Sequence, residues 1–138
     1  MSAKTSVKWT KGMSFEADLD GHKIIIDADA SVGGANKGPK PKPLMLVALA
    51  GCTGMDVVSM LTKMRVEVED LQIDVEANLT QVHPKYFDTF TIVYTFKGKD
   101  LPMAKLEKAV NLSQERYCGV SEMYRQFSKI DYKIIVLD

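Results

Sequence analysis

One segment constrains this chain more than any other. Leu44-Met-Leu-Val-Ala-Leu-Ala-Gly-Cys-Thr-Gly-Met-Asp-Val-Val58 and its continuation to Met64 are apolar around most of a helical circumference, and Pro43 opens the run. Proline is accepted in the first turn of a helix, where its missing N–H has no partner in any case. The pattern predicts a central helix over 44–64, and a helix apolar on nearly every side belongs inside a fold. A membrane span needs about 20 apolar residues in succession. Here the uninterrupted run ends at Ala50, before Gly51, Thr53, Gly54 and Asp56, so no membrane association is expected.

The flanking segments supply the walls around that helix. Ser6–Thr10 and Met13–Leu19 alternate, Asp20-Gly21 suits a hairpin turn, and His22–Asp27 returns as a third strand. Ser31–Pro43 is a loop rich in glycine, proline and lysine. Beyond the helix, Val66–Leu79 places Leu71, Ile73, Val75, Ala77 and Leu79 on one face. Val82-His-Pro-Lys85 turns the chain into a partner strand carrying Phe90, Ile92, Tyr94 and Phe96. Asp100-Leu-Pro102 opens a helix over about 102–116, and Cys118-Gly119 breaks it. A shorter helix over about 120–128 and a strand over 131–137 close the chain. This order predicts one α+β domain over 1–138, with mostly antiparallel sheets around the buried helix.

Charge and cysteine usage exclude several function classes. With 18 basic and 18 acidic side chains the formal net charge is zero, which argues against binding nucleic acid by phosphate neutralisation. Two cysteines are too few for a secreted disulfide framework. Met1-Ser-Ala-Lys-Thr5 has no apolar signal region, so the expected setting is cytoplasmic and reducing. His22 and His83 stand alone, with no Cys-x-x-Cys or His-x-x-x-His spacing, so no metal is expected. No Gly-x-Ser-x-Gly elbow marks a hydrolase. Lys37, Lys40 and Lys42 punctuate the loop ahead of the central helix. They suit either an anion-binding loop or a solvated one, and there is no Gly-Lys-Ser/Thr phosphate motif. Met45, Met55, Met60 and Met64 on the helix suit either core packing or an irregular apolar ligand.

Cys52 and Cys118 carry the chemical question. A thiol among aliphatic side chains is ordinarily inert packing. Two that meet, with Cα atoms about 4.4–6.8 Å apart, can exchange two electrons as a disulfide. Their reactivity then depends on what stabilises a thiolate.

Two stretches resemble a known family. Gly38-Pro-Lys-Pro-Lys-Pro-Leu-Met-Leu-Val-Ala-Leu-Ala-Gly-Cys52-Thr-Gly-Met-Asp-Val-Val58 is similar to the central helix of the OsmC/Ohr proteins, the osmotically inducible and organic-hydroperoxide-resistance proteins. Leu112-Ser-Gln-Glu-Arg-Tyr-Cys118-Gly-Val-Ser121 is similar to their second cysteine motif. His83-Pro-Lys-Tyr-Phe87 and Phe96-Lys-Gly-Lys-Asp-Leu101 resemble the small OsmC-like branch. The resemblance implies an intertwined homodimer with active sites at its interface. It also implies a thiol peroxidase for organic hydroperoxides that uses no haem, flavin or metal and is recycled by an external dithiol. Cys52 would be the peroxidatic thiol and Cys118 the resolving one.

The chain departs from the family where an arginine, oriented by a glutamate, activates the peroxidatic thiolate. Lys42 and Pro43 occupy the expected glutamate positions, and the arginines are Arg65, Arg116 and Arg125. Lys42, Arg116 and Arg125 are therefore the candidate activating or substrate-contacting cations, with Met55 and Met60 as apolar pocket residues. The alternative is a catalytically degenerate relative that binds an apolar or anionic small molecule.

Overall fold

Alternation and tight turns build the N-terminal strands. In a computed structural model describing all 138 residues, β1 (Ser6–Lys11), β2 (Ser14–Leu19) and β3 (His22–Ile26) form an antiparallel meander in the order β1-β2-β3. The β2–β3 turn uses Asp20 and Gly21 at φ 50° and 81°, the left-handed pair that matches strand twist. The segment after β3 is organised by Asp27, which is buried. Its carboxylate accepts hydrogen bonds from the N–H groups of Ala28 at 2.7 Å, Lys37 at 3.1 Å and Ala35 at 3.3 Å. One side chain thus closes the loop that contains a short 3₁₀ turn, Ala30–Val32.

The contacts divide the chain into two compact units, Met1–Met45 and Leu46–Asp138. α1 (Leu44–Lys63) begins in the first and runs on through the second. In the second unit, β4 (Asp70–Leu79) pairs antiparallel with β5 (Phe87–Lys97), and β5 pairs in parallel with β6 (Lys129–Leu137). β5 is therefore the central strand, and its inner face buries Phe90, Ile92, Tyr94 and Phe96. Register sets these residues in rows: Ile73, Tyr94 and Ile134 lie side by side, as do Leu71, Phe96 and Val136. The parallel pair requires a crossover. α2 (Met103–Leu112), a π-helical turn (Ser113–Tyr117) and α3 (Gly119–Arg125) provide it.

α1 packs through Leu49, Thr53, Val57 and Leu61, an i, i+4 stripe on one helix face. The backbone comes close to the sheet at Gly54, where an added Cβ would lie 2.8 Å from Ile73 Cδ1. Val47, Met55 and Val58 are exposed in the protomer, so burial follows one stripe and not the whole circumference. At 20 residues, α1 is long and apolar enough to cross a membrane, which corrects the reading that its apolar run is too short. In the protomer only 22% of that apolar stretch is buried, along this one stripe, so the expected all-round burial is not met within a single chain.

Most bounds fall within two residues of the sequence reading, but β4 starts at Asp70 and not at 66, α2 ends at Leu112 and gives way to the π-helical turn where a helix to about 116 was expected, and α3 ends at Arg125 and not at about 128. The mixed character of the second sheet is the added feature.

The three N–H donors hold the Asp27 carboxyl below its ordinary value of 3.8, the Ala28 N–H contributing most. A depressed folded-state pKa gives stability that is present above 3.8 and is lost as pH falls through the lower folded value. Asp27→Asn should therefore lower the melting temperature at neutral pH, and the gap to wild type should close as the pH drops below 3.8. Thermal unfolding across that range measures it; a gap that is independent of pH would contradict the assignment.

Candidate active site

Cys118 sits where the crossover changes direction. The helix leaving β5 widens at Ser113–Tyr117 into a π-helical turn, in which the Cys118 N–H bonds the Ser113 carbonyl at 2.7 Å. The wider turn places both Ser113 and Gln114 inside the fold. Cys118 itself is extended, at φ −75° and ψ 101°, and caps α3, its Sγ accepting the Ser121 N–H at 3.4 Å. A thiol here does what a serine or aspartate hydroxyl or carboxylate oxygen does at most helix N-caps.

Cys52 approaches from α1. The Cys52 thiol is a neighbour of the Cys118 thiol, with Cys118 buried and Cys52 half-buried. Both are free thiols. Burial pushes the Cys118 thiol above its ordinary value, and the neighbouring Cys52 adds to this. Hydrogen bonding from Ser121 pulls the other way. Tyr124 completes the surroundings. Its ring stacks on Phe90 at 5.1 Å, and burial, then the adjacent Cys118 and Cys52, raise its hydroxyl.

Beneath the thiols lies a network of buried polar side chains. Thr53 Oγ1 is 2.6 Å from Tyr94 Oη and 2.7 Å from Ser113 Oγ. Gln114 Nε2 donates to Tyr94 Oη at 2.8 Å and to Thr53 Oγ1 at 3.1 Å. Ser121 Oγ donates to Gln114 Oε1 at 3.1 Å, and Ser113 Oγ donates to Asp56 Oδ2 at 2.9 Å. No buried side-chain nitrogen or oxygen lacks a partner. Burial pushes the Tyr94 hydroxyl up to about 12, against the opposing pull of Thr53 and Gln114, so it remains a neutral donor.

This arrangement coincides with a family. The OsmC-like protein family model matches residues 34–133. The chain belongs to the OsmC family. Protein YhfA of Escherichia coli K12 is 32% identical over 132 residues, which cover 95% of this chain and 96% of that one. A crystal structure of an Aquifex aeolicus VF5 protein superimposes with a TM-score of 0.84 at 28% identity, covering 100% of this chain and 99% of the other. The organic hydroperoxide resistance protein OhrB of Bacillus subtilis shares the fold, with a TM-score of 0.66 at 22% identity over 99% of this chain and 98% of its own.

In this OsmC-family chain the candidate cations fall as follows. Arg125 donates to the Gln114 carbonyl oxygen at 2.7 Å and pairs with Glu122 at 2.8 Å, so it fastens the π-helical turn to α3. Arg116 is exposed, its guanidinium 5.7 Å from the Tyr117 ring centre. Lys42 is exposed in the turn ahead of α1, where its carbonyl accepts the Met45 N–H. Met55 is exposed and Met60 half-buried. Two open clefts, of about 510 and 730 Å³, both border Arg65–Val68, and neither is lined by Met55, Met60 or a thiol.

The sequence reading brought out the two thiols but missed the polar set beneath them. Its one visible trace is Thr53 and Asp56, two polar residues within an otherwise apolar run.

Tyr94→Phe keeps the ring and removes the hydroxyl, leaving the Gln114 N–H without its nearer acceptor. An unsatisfied buried group of this kind costs about 1–3 kcal/mol. Urea unfolding should show a loss of that order, and an unchanged stability would mean the network is not closed.

Proposed function

We propose that this protein reduces organic hydroperoxides through the Cys52/Cys118 pair, in the cytoplasm and as a homodimer. The observation that carries the reading is that two free thiols, from α1 and the crossover, are neighbours, one half-buried and one buried. Cys52 thiolate attacks the terminal peroxide oxygen. The O–O bond breaks, the alkoxide takes a proton from water, and Cys52 becomes a sulfenic acid. Cys118 then attacks the sulfenic sulfur; its proton leaves with the hydroxyl as water, and a disulfide forms. An external dithiol restores both thiols and is itself oxidised. None of these steps calls for a metal or organic cofactor.

The exposed apolar side chains of α1, Val47, Met55 and Val58, support the homodimer and an apolar approach for the substrate. Sedimentation equilibrium should return twice the chain mass of 15.4 kDa.

Cys52→Ser should abolish peroxide consumption. Cys118→Ser should allow a single oxidation of Cys52 while reducing dithiol-driven turnover at least about a hundredfold, since the disulfide cannot form. Mass and free-thiol count after one equivalent of cumene hydroperoxide provide the check. In wild type both thiols should disappear with loss of two hydrogens. Turnover that survives in Cys52→Ser would end the assignment.

A second reading draws on the commitments of Arg125 and on the raised Cys118 thiol. With its candidate arginine engaged elsewhere, the chain serves as a degenerate relative that binds an apolar or anionic small molecule. Slow alkylation of Cys52 by iodoacetamide at neutral pH, with both thiols surviving peroxide, would favour it.

A further inference from the structure

The two cysteines do not face solvent alike. Cys118 is 3% exposed, and residues on both sides of it in sequence are buried, Ser113 and Gln114 before it and Ser121 and Tyr124 after it. Cys52 is half-buried on α1. A helical side chain leans over the turn that precedes it, so Cys52 lies over Ala48, one turn earlier on the same face. Ala48 is exposed and small. Gly51 is exposed as well, and a Cβ built on it would meet no atom within 4 Å. The helix surface beside Cys52 is therefore free of bulk, whereas Cys118 is closed in.

This difference matters most once the pair is oxidised. Thiol–disulfide exchange is a displacement at sulfur, in which the incoming thiolate, the sulfur attacked and the departing sulfur fall in line. An incoming thiolate finds almost no surface at Cys118 to strike. At Cys52 it has the opening beside Ala48 and Gly51. The departing sulfur is provided for too, because Cys118 Sγ caps α3 and accepts the Ser121 N–H at 3.4 Å. A backbone N–H there meets the negative charge that develops on a leaving sulfur.

We propose that the external reductant attacks the disulfide at Cys52, and that Cys118 is the leaving group. The inference rests on the peroxidase reading for the closing of Cys52 and Cys118 to a disulfide. A dithiol reductant loses one thiol proton to solvent, and its thiolate bonds to Cys52 Sγ as the Cys52–Cys118 bond breaks. Cys118 leaves as a thiolate and takes a proton from water. The second thiol of the reductant, deprotonated in turn, attacks the first, closes the reductant's own disulfide and expels Cys52 as a thiolate. Two electrons pass from reductant to protein, and Cys52 returns in the form that attacks the next peroxide. One opening thus serves both half-reactions, with peroxide and reductant arriving in turn at the same sulfur.

The test uses the full chain with both cysteines. Diamide, an azo compound that takes two hydrogens from a thiol pair, forms the disulfide, and 2-mercaptoethanol is the probe. Acid quenching, peptic digestion and mass spectrometry locate the mixed disulfide. It should lie on Cys52, with Cys118 free, in at least about tenfold excess over the reverse. An adduct on Cys118, or on both in similar amounts, overturns the proposal, as does failure of diamide to join the two.

A second arm needs no trapped adduct. Ala48→Leu exchanges one good helix former for another and sets a larger side chain under Cys52. It should slow reduction of the diamide-formed disulfide by dithiothreitol about tenfold, with circular dichroism unchanged. A rate equal to wild type overturns the proposal. The two readings fail apart: an adduct on Cys52 without peroxide consumption would end the peroxidase reading alone, and peroxide consumption with an adduct on Cys118 would end this one alone.

Discussion

Hydroxyl groups taken out of water must find partners inside the protein, and this fold buries four of them together. Thr53 comes from α1, Tyr94 from β5, Ser113 from the π-helical turn and Ser121 from α3. Each would cost several times what one hydrogen bond returns if left unpaired. The elements are therefore held in a joint register that apolar packing alone does not define. α1 must present Thr53, not Val57, to Tyr94. Aliphatic stripes tolerate sliding and repacking, whereas a closed hydrogen-bond network does not.

The same constraint accounts for the irregular helix between α2 and α3. A regular α-helix through 113–117 would rotate Ser113 and Gln114 apart by the usual 100° per residue. The π-helical turn widens that segment, keeps both side chains inside, and delivers Cys118 in an extended conformation at the start of α3. Such single-turn distortions recur at functional sites. Arg125 belongs to this architecture as well, since its bonds to the Gln114 carbonyl and to Glu122 tie the turn to the following helix. The two thiols consequently sit in different surroundings. Cys118 is built into a cap and a polar network, while Cys52 stands on a helix whose neighbouring face is open.

Much of this fold was legible in the sequence because its signals are periodic. Alternation at Leu71–Leu79 and Phe90–Phe96 gave the hairpin, and the run from Leu44 gave α1 almost to the residue. Parallel pairing of β5 with β6 was not legible. Nothing in Asp131–Leu137 distinguishes a strand that returns by crossover from one that returns by hairpin. The network was hidden for a related reason. Its members at 53, 94, 113, 114 and 121 share no period and come from separate elements. Each taken alone reads as an ordinary polar residue, and only the fold reveals that they touch. The cysteine pair was legible because thiols are scarce and chemically distinct. The cations proposed to serve them were not, because the reach of a long side chain depends on the turn that carries it.

The exposed half of α1 links assembly to chemistry. Val47, Met55 and Val58 face water in the protomer. Leaving side chains of that size exposed forgoes about 1.5–3 kcal/mol each relative to full burial. Scattered exposed aliphatics are commonplace, but three on one helix whose opposite stripe is fully packed form a face that a second copy can cover. Cys52 lies on this same helix, half-buried, between Val47 and Met55 in sequence. Covering the helix would change the water around that thiol. Lowering the dielectric there strengthens every nearby charge and hydrogen bond. A second copy seated on the outer face of α1 would therefore set the surroundings of Cys52, while the helix cap at Ser121 sets those of Cys118.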